Sequence, residues 1–367
     1  MPVDLILLSG FLGSGKTTLL VDFLRQDVAG ETGVIINEVG EIGVDGAIVA
    51  DANVPMLMLA NGCVCCSLRS GLVHTVGALL DAPRQDGRAP LRRIILETSG
   101  LSRPGPIIAS LADPELAARG LRVSVVTTLD CEAGAFGATR FDEAAAQLAA
   151  AQRIVFTKLD RVSPDSIHAH RQAVAGINPL AQVVADPDRS GAVARAFAPM
   201  PAQPDPAEPA MQAQWGPTAG ALRHPRIHVM KGEARPDLAW PDLALWLDDL
   251  AGLCGDRLLR FKAIVHVTDC DDPILIQSVG TAFGAPQRLR SYAAGKDVFV
   301  VITRDIDAEE INAMAGGGPI RLVAQPAGHG RDMSGTVPSR VAPENAVVIS
   351  SEPFHSRPGA NPCIHET

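Results

Sequence analysis

The sequence has no apolar stretch long enough to cross a membrane. Its first apolar run, residues 3–8, is short, carries Asp4 and continues directly into a glycine-rich loop, which predicts a β-strand and not a signal peptide. Positive charge is also scarce, because 32 Lys and Arg residues face 41 Asp and Glu residues and leave a formal net charge of −9. A protein that binds nucleic acid or an anionic membrane electrostatically needs a basic face, so we expect neither partner.

Evenly spaced cysteines are lacking as well. Of the seven cysteines, Cys63, Cys65 and Cys66 fall within four positions and the others are scattered. A secreted disulfide framework would be denser and more evenly spread, so the pattern favours a reducing compartment and predicts a cytoplasmic location. In such a compartment a tight cysteine cluster is typical of a metal or redox site.

The length of 367 residues favours two domains over one. In the first half, short β-rich runs alternate with helical patterns, which predicts an α/β fold with a mostly parallel sheet covered by helices. Proline and alanine dominate from about residue 186 to 220, which is typical of a linker. The predicted division is an α/β domain over 1–190, a linker over 191–222, a smaller α+β domain over 223–325 and a flexible tail over 326–367.

The segment GFLGSGKT at residues 10–17 matches the phosphate-binding loop pattern in full, with an apolar strand before it and a helical pattern after it. Its glycines allow backbone N–H groups to face phosphates, and the helix N-terminus adds a positive end. We predict that Lys16 meets the outer phosphates as a catalytic group and that Thr17 binds Mg²⁺. The predicted nucleotide-binding residues of this segment are Gly10, Gly13, Ser14, Gly15, Lys16, Thr17 and Thr18. The first domain is therefore predicted to be a P-loop NTPase domain.

The segment Thr157-Lys158-Leu159-Asp160 follows an apolar strand and predicts that the bound nucleotide carries guanine. A carboxylate such as that of Asp160 can accept two N–H groups from guanine, whereas adenine presents an acceptor and a donor there. Lys158 is expected to lay its aliphatic stem over the base. GTPases usually begin this motif with Asn, and Thr157 is expected to lose the amide that braces the loop.

Of the two segments that act as nucleotide-dependent switches in GTPases, the second is predicted at Glu97-Thr98-Ser99-Gly100, where GTPases commonly carry Asp-x-x-Gly. Glu97 is predicted to hold Mg²⁺ through water and to take part in catalysis, and the Gly100 N–H to sense the γ-phosphate. We recognise no acceptor-binding lid of the kind that a small-molecule kinase needs. Water is therefore the expected acceptor, and the reaction is GTP + H2O to GDP + phosphate.

The metal site is predicted at the cluster Cys63, Cys65 and Cys66, because three neighbouring thiolates can bind Zn²⁺, Cu(I) or a cobalt ion. Two adjacent cysteines cannot easily both face one ion, so we expect two thiolates to ligate at a time and to leave an open position. The acidic segment at residues 37–46 lies where a GTPase has its first switch. It can supply Mg²⁺ contacts or an oxygen ligand to this metal, with Glu41 favoured. The alternative for that segment is a solvated acidic loop.

Together these motifs resemble the CobW-type GTPases, relatives of the UreG and HypB nickel-insertion GTPases. The resemblance rests on SGFLGSGKTT at 9–18, NEVGE at 37–41, NGCVCC at 61–66, ETSGL at 97–101 and TKLD at 157–160. It extends to LLRFK at 258–262 and IQSVG at 276–280, which are similar to the second domain of that family.

The resemblance implies a slow GTPase whose Cys-x-Cys-Cys site binds zinc or cobalt, tightly only when Mg-GTP is present. Members of the family act as metallochaperones, as activators of zinc enzymes, or in cobalamin and nitrile hydratase maturation. Two features depart from the family: Ala263 stands where Gly usually follows Lys262, and the histidine-rich storage stretch of many members is missing. The second departure favours delivery of metal over storage.

The resulting hypothesis is a GTP-hydrolysing metallochaperone that uses GTP and Mg²⁺ and carries Zn²⁺ to a client metalloprotein. Zinc is favoured over Co²⁺ by the general affinity order of divalent metals. The alternatives are a cobalt chaperone for cobalamin or nitrile hydratase maturation, a GTP-regulated zinc sensor or buffer without a client, and a P-loop kinase or ATPase with a structural zinc site. A homodimer is one option for the assembly.

Five further residues are predicted to be structural. His168 and His170 are spaced too closely to share one helix face, so we place them on a surface helix. His266 lies in an apolar strand and is predicted to be a satisfied core or ladder residue. Trp240 and Trp246 lie six residues apart on a helical stretch and are assigned to packing.

Overall fold

A computed structural model describes residues 3–27, 30–36, 56–58, 68–82, 90–134, 141–199, 224–289, 297–314 and 318–324. The first half of the chain forms a parallel sheet with the strand order β3-β2-β4-β1-β5-β6-β7. Its strands are β1 (Val3–Gly10), β2 (Thr32–Ile36), β3 (Met56–Met58), β4 (Arg93–Glu97), β5 (Leu121–Asp130), β6 (Arg153–Thr157) and β7 (Gln182–Val184). The central strands are nearly continuous apolar runs because helices cover both faces of the sheet. The predicted parallel α/β fold is confirmed.

The helices around this sheet are α1 (Lys16–Gln26), α2 (Leu68–Asp81), α3 (Pro104–Leu111), α4 (Pro114–Ala118), α5 (Asp142–Ala150), α6 (Pro164–Ile177) and α7 (Arg189–Ala196). Four of them, α3, α4, α6 and α7, begin at an early proline, a side-chain cap or both. Ser163 caps α6 by accepting from the Ser166 N–H, and Asp188 caps α7 by accepting from the Gly191 N–H. Helix α7 crosses the boundary that the sequence placed at residue 190, because its apolar face packs into the core of the first sheet.

The second unit is an antiparallel sheet with the order β11-β10-β9-β13-β8-β14, and β12 pairs with β10. Its strands are β8 (Ile227–Ala234), β9 (Leu258–Val267), β10 (Cys270–Val279), β11 (Ala282–Phe283), β12 (Gln287–Arg288), β13 (Val298–Arg304) and β14 (Ile320–Ala324). Helices α8 (Trp240–Cys254) and α9 (Ala308–Met314) accompany them. Trp240 and Trp246 are buried in the core of this unit, as predicted. Strand β14, which pairs with β8, was not predicted from the sequence.

One of the buried hydrophobic clusters contains residues of both units, and α5 lies at their contact. Leu148 of α5 belongs to the same buried cluster as Ile227 of β8, Leu259 of β9 and Ile302 of β13. The alanines of α5 are buried, and their small side chains let neighbouring elements approach the helix closely. Contact between the units is also close at α3, since a Cβ on Gly105 would lie 2.8 Å from the Asp256 carbonyl oxygen.

None of the helices in the described ranges is both long and apolar enough to span a bilayer.

Candidate nucleotide site

The phosphate loop joins β1 to α1 at the carboxyl edge of the first sheet. Gly13 and Gly15 have φ angles of 72° and 90°, which glycine adopts without strain. Gly10 is packed so closely that a Cβ there would lie 2.2 Å from Thr128 Oγ1. The Lys16 ammonium donates to the carbonyl oxygens of Gly10 at 3.0 Å and Phe11 at 3.3 Å. The loop therefore holds the ammonium against its own backbone, within reach of any phosphate that the loop encloses.

Ser14 fastens the phosphate loop to β5. Its hydroxyl donates to the Phe11 carbonyl oxygen at 2.7 Å and lies 2.7 Å from the hydroxyl of Thr128. Thr128 donates in turn to the Ser9 carbonyl oxygen at 3.4 Å. Thr128 was not predicted from the sequence as a residue of this site, and it lies 114 residues from Ser14 along the chain.

The two residues predicted to bind Mg²⁺ lie side by side. Thr17 donates through Oγ1 to Glu97 Oε1 at 2.6 Å, and Glu97 is 2% exposed at the end of β4. Strands β1 and β4 are parallel neighbours, with Leu8 opposite Glu97, so the sheet brings the end of β4 to the phosphate loop. A hydroxyl and a carboxylate oxygen are hard ligands of the kind that Mg²⁺ prefers, so this pair fits the ion.

Gly100, the predicted γ-phosphate sensor, lies against the phosphate loop. A Cβ at this position would lie 2.7 Å from the backbone nitrogen of Leu12. A clash with backbone cannot be relieved by moving a side chain, so the close approach of the two segments requires glycine.

The base motif is braced by the hydroxyl of Thr157, although this residue lacks the amide that Asn supplies in the usual GTPase motif. Thr157 Oγ1 lies 2.9 Å from the Ser14 carbonyl oxygen and 3.1 Å from the Leu129 carbonyl oxygen, and it donates its single hydrogen to this pair of acceptors. The hydroxyl therefore ties the base motif directly to the phosphate loop.

Within the base motif, Lys158 pairs with neighbouring carboxylates, whereas the side chain of Asp160 is exposed. Lys158 has a φ of 56°, and its ammonium lies 2.5 Å from Asp130 Oδ2 and 3.8 Å from Glu132 Oε2. Asp160 lies in a 3-10 turn, Leu159–Arg161, and its side chain is 82% exposed. Asp130 was missed by the sequence analysis, although its place as an acidic residue at the end of a buried strand was a usable signal.

A cavity of about 400 Å³ connects the phosphate loop to the base motif. The predicted residues that line it are Gly15, Thr18, Thr157, Lys158 and Asp160. Its other wall includes Asp22, Pro187 and Arg189, which the sequence analysis did not identify. Asp22 and Arg189 form an ion pair across the gap between α1 and α7. The volume is in the range of small-molecule sites.

The predicted metal ligands Cys63, Cys65, Cys66 and Glu41 lie outside the described residues. Within the described ranges, no three His, Cys, Asp or Glu side chains come together as a metal site.

The histidines set aside by the sequence analysis are held by hydrogen bonds. His170 is buried on α6 with Nε2 at 3.0 Å from the Cys131 carbonyl oxygen, so its part of that helix is not surface. His266 is 41% exposed and pairs with Asp297 at 2.8 Å, so it is satisfied but is not a core residue.

Two family models match the chain over most of its described length. One, described as CobW/HypB/UreG, nucleotide-binding domain, matches residues 4–185. The other, described as Cobalamin synthesis protein cobW C-terminal domain, matches residues 228–315. The first match spans the phosphate loop, both predicted switches and the base motif, and the second falls on the antiparallel sheet.

Curated relatives agree with these matches. The zinc chaperone YjiA of Escherichia coli (strain K12) is 36% identical over 183 residues, which cover 50% of this chain and 57% of YjiA. The zinc chaperone CobW of Sinorhizobium sp is 27% identical over 356 residues, which cover 83% of this chain and 94% of that protein. Among solved structures, Zn(II)-bound YjiA GTPase from E. coli superposes with a TM-score of 0.58 and 22% identity, covering 86% of this chain and 99% of that one. At this identity the superposition shows the shared fold.

Proposed function

Because the chain belongs to the CobW/HypB/UreG family, we propose that it is a GTP-hydrolysing metallochaperone. In this proposal it binds a thiophilic divalent metal, with zinc favoured, and delivers it to a client metalloprotein. The observation that carries the nucleotide part is the convergence of three motifs on one sheet edge. Gly15 and Thr18 of the phosphate loop and the base motif braced by Thr157 line the 400 Å³ cavity. Thr17, next to Thr18 in the chain, pairs with Glu97 at the end of β4 outside the cavity lining.

The residues have separate roles in the proposed hydrolysis of GTP by water. Lys16 compensates the negative charge of the outer phosphates, and the Gly100 N–H contacts the γ-phosphate. Thr17 would hold Mg²⁺ directly and Glu97 would hold it through water, and the bound ion would supply positive charge next to the phosphate oxygens. Asp160 selects guanine by accepting from its N1 and N2 groups, and Lys158 covers the base. The exposed carboxylate of Asp160 at the rim of the cavity supports this role because a base entering the cavity would cover it.

The metal part of the proposal assigns Cys63, Cys65 and Cys66 as ligands of the transported ion, with Glu41 as an oxygen ligand. The acidic segment follows β2 in the sequence and the cysteine segment follows β3. These two strands are parallel neighbours, so both end at the edge where β1 enters the phosphate loop. Ligand sites of open α/β sheets gather at this edge, which supports a metal site within reach of the nucleotide.

Zinc is favoured because relatives over half the chain or more are named zinc chaperones. Cobalt remains the alternative, since thiolate and oxygen ligands accept both ions. A GTP-regulated zinc sensor or buffer without a client is the other alternative, and it differs from the chaperone in releasing no metal to an acceptor on hydrolysis.

The test is a calorimetric titration of zinc into the full chain loaded with Mg-GDP, with a non-hydrolysable Mg-GTP analogue, or with the matching ATP analogue. We expect tighter zinc binding with the GTP analogue than with GDP, by about five- to 100-fold, the usual range of coupling between two sites. The ATP analogue should not have this effect. A parallel titration with Co²⁺ separates the zinc and cobalt alternatives.

The double substitution Cys65→Ala with Cys66→Ala should abolish the tight binding. Cys254→Ala is the matched control, because that thiol is buried in the second unit, where burial raises its pKa to about 12 and keeps it from acting as a thiolate ligand. Equal zinc affinity with GDP and the GTP analogue, or unchanged binding in the double variant, would refute the metal part. Equal affinity for GTP and ATP would refute the nucleotide part.

A further inference from the structure

Helix α5 contacts the phosphate loop through the residue that precedes it. The ring of Phe141, the N-cap of α5, stacks on the ring of Phe11 with centroids 4.7 Å apart and an angle of 25° between the planes. Phe11 lies in the phosphate loop, and its carbonyl oxygen accepts from Lys16 and Ser14. The start of α5 is therefore packed against the part of the loop that holds the lysine.

Two side chains of α5 hold the segment that contains Gly100. Gln147 is 1% exposed, and its Nε2 donates to the carbonyl oxygens of Gly100 and Ser102, both at 2.9 Å. Both hydrogens of the amide are used in this way. One turn earlier on the helix, Glu143 accepts from Arg103 Nη2 at 2.8 Å. The proposed γ-phosphate sensor is thus bonded to α5 directly and through the residues that follow it.

The same helix is bonded to the second unit at its N-terminus. Asp142 forms an ion pair with Arg226 and lies 3.6 Å from His224 Nε2. Arg226 also makes a two-pronged contact with Asp305, with Nε at 2.7 Å from Oδ1 and Nη2 at 2.6 Å from Oδ2. Planar two-pronged contacts fix direction as well as distance, so a shift of α5 changes the position of the segment that leads into β8.

The acceptor atom of Gln147 is left unsatisfied in this arrangement. Gln147 Oε1 is buried and has no hydrogen-bond partner among the described residues. Gln147 also lines a cavity of about 50 Å³ that is bounded by Phe11, Leu12 and Ser14 of the phosphate loop. A buried acceptor without a partner is costly, so a rearrangement that satisfies Oε1 has a free-energy gain available to it.

We propose that α5 couples the nucleotide site to the second unit, and that Gln147 is the positioning residue that ties the Gly100 segment to this helix. The proposal rests on the function proposed above, in which Gly100 contacts the γ-phosphate. A nucleotide that moves Gly100 changes the bonds to Gln147, and α5 passes this change to Arg226 through Asp142. Because such coupling is reciprocal, the contact at Arg226 must also affect the preference of the site for GTP over GDP.

The experiment measures the ratio of affinities for a non-hydrolysable GTP analogue and for GDP in the full chain, with fluorescent nucleotides. Arg226→Met removes the contact with α5 from a side chain that touches no part of the nucleotide site. We expect this change to shift the ratio by about two- to 30-fold, the range for substitutions along a coupled network. Gln147→Met should shift it in the same direction, because the substitution keeps the side-chain volume and removes both donors.

The matched control is Arg235→Met. Arg235 pairs with Asp242 and is 43% exposed, against 44% for Arg226, but among the described residues its ion pairs are with Asp237 and Asp242 and not with α5. The ratio of the affinities for the GTP analogue and for GDP should be the same in Arg235→Met as in the wild type. Arg226→Lys keeps the charge without the planar fork, and it should restore part of the wild-type ratio.

The outcomes separate the coupling from the proposed function. If the wild type prefers neither guanine nucleotide over adenine nucleotide, the proposed function fails. If the wild type binds GTP and GDP as proposed but Arg226→Met and Arg235→Met leave the ratio equally unchanged, the coupling is refuted. If Gln147→Met does not fold, Arg226→Met and Asp142→Asn still decide the question, since both positions are partly exposed.

Discussion

At the scale of single residues, the hydroxyl of Thr157 determines how the base motif meets the phosphate loop. It contacts the carbonyl oxygens of Ser14 at 2.9 Å and Leu129 at 3.1 Å, so one side chain connects β6, β5 and the loop. The methyl group of the same side chain faces Gly15, where an added Cβ would lie 3.5 Å from it. Both faces of Thr157 therefore contribute to the position of the base motif.

Thr157→Val should weaken GTP binding about fivefold, since Val keeps the shape of Thr and loses one hydrogen bond that contributes about 1 kcal/mol. Thr157→Ser keeps the hydroxyl and should bind nearly as the wild type does. Fluorescent-nucleotide titration measures both. Thr75→Val is the control, because Thr75 donates to the Gly71 carbonyl oxygen on α2, away from the site. Equal affinities of the Val and Ser variants would show that the hydroxyl has no part in the brace.

At the scale of elements, α5 depends on α6 for the satisfaction of its last carbonyl groups. Asn178 follows α6, is 1% exposed and donates through Nδ2 to the carbonyl oxygens of Leu148 at 2.8 Å, Ala149 at 3.0 Å and Ala151 at 2.8 Å. The end of a buried helix needs such donors because water cannot reach its carbonyl groups. The position of α5, and with it that of Gln147, therefore depends on contacts at both ends of the helix.

Asn178→Ala should lower the free energy of unfolding by about 2–4 kcal/mol, since it leaves several buried carbonyl groups without a donor. Thermal and denaturant unfolding of the full chain measure this loss. Asn312→Ala provides the comparison, because Asn312 makes one donor and one acceptor bond to Leu322 in a partly buried position. If Asn178→Ala lowers the free energy of unfolding by no more than Asn312→Ala does, Asn178 is not needed to satisfy the carbonyl groups of α5.

At the scale of the whole molecule, charged groups gather where the two units meet. His224 is buried in front of β8, with Asp142 of the first unit and Arg226 and Asp305 of the second around it. Its Nδ1 accepts from the Arg226 N–H at 3.3 Å, so the ring is neutral with the hydrogen on Nε2, which faces Asp142. A proton on Nδ1 would remove this acceptor.

Acidification should weaken the contact between the units. Burial lowers the pKa of His224 below its ordinary value of 6.5, and Arg226 lowers it further, although the carboxylates of Asp142 and Asp305 act in the opposite direction. Because the pKa is lower in the folded state, the contribution of His224 is fully present above about pH 6.5 and is lost as the pH falls through the folded pKa. Between about pH 7.5 and about pH 5.5, the melting temperature should therefore fall less for His224→Gln than for the wild type.

The control for this pH dependence is His168→Gln on α6, where the side chain is exposed and lies 3.0 Å from Gln172, a residue of the same helix. Its pH dependence should match that of the wild type. An identical fall in melting temperature for the wild type and His224→Gln would show that His224 does not respond to pH in this range.

The sequence alone determined the parallel sheet, the phosphate loop and the place of the Glu97 segment at the end of β4, because each depends on residues that are adjacent in the chain. The acidic segment at residues 37–46 lies outside the described residues, and its role stays a prediction. Gly13 and Gly15 fix the backbone of the loop locally, and the apolar runs of β1 and β4 place the loop and Glu97 at strand ends. Such local requirements leave a pattern in the sequence.

Only the tertiary structure decided which distant residues complete the site. Thr128 lies 114 residues from its partner Ser14, Gln147 lies 47 from Gly100, and Arg226 lies 84 from Asp142. The brace at Thr157 belongs to the same class, since its acceptor Ser14 is 143 residues away. No spacing rule connects such pairs, because the order of the strands in the sheet and the packing of α5 between the two units bring them together.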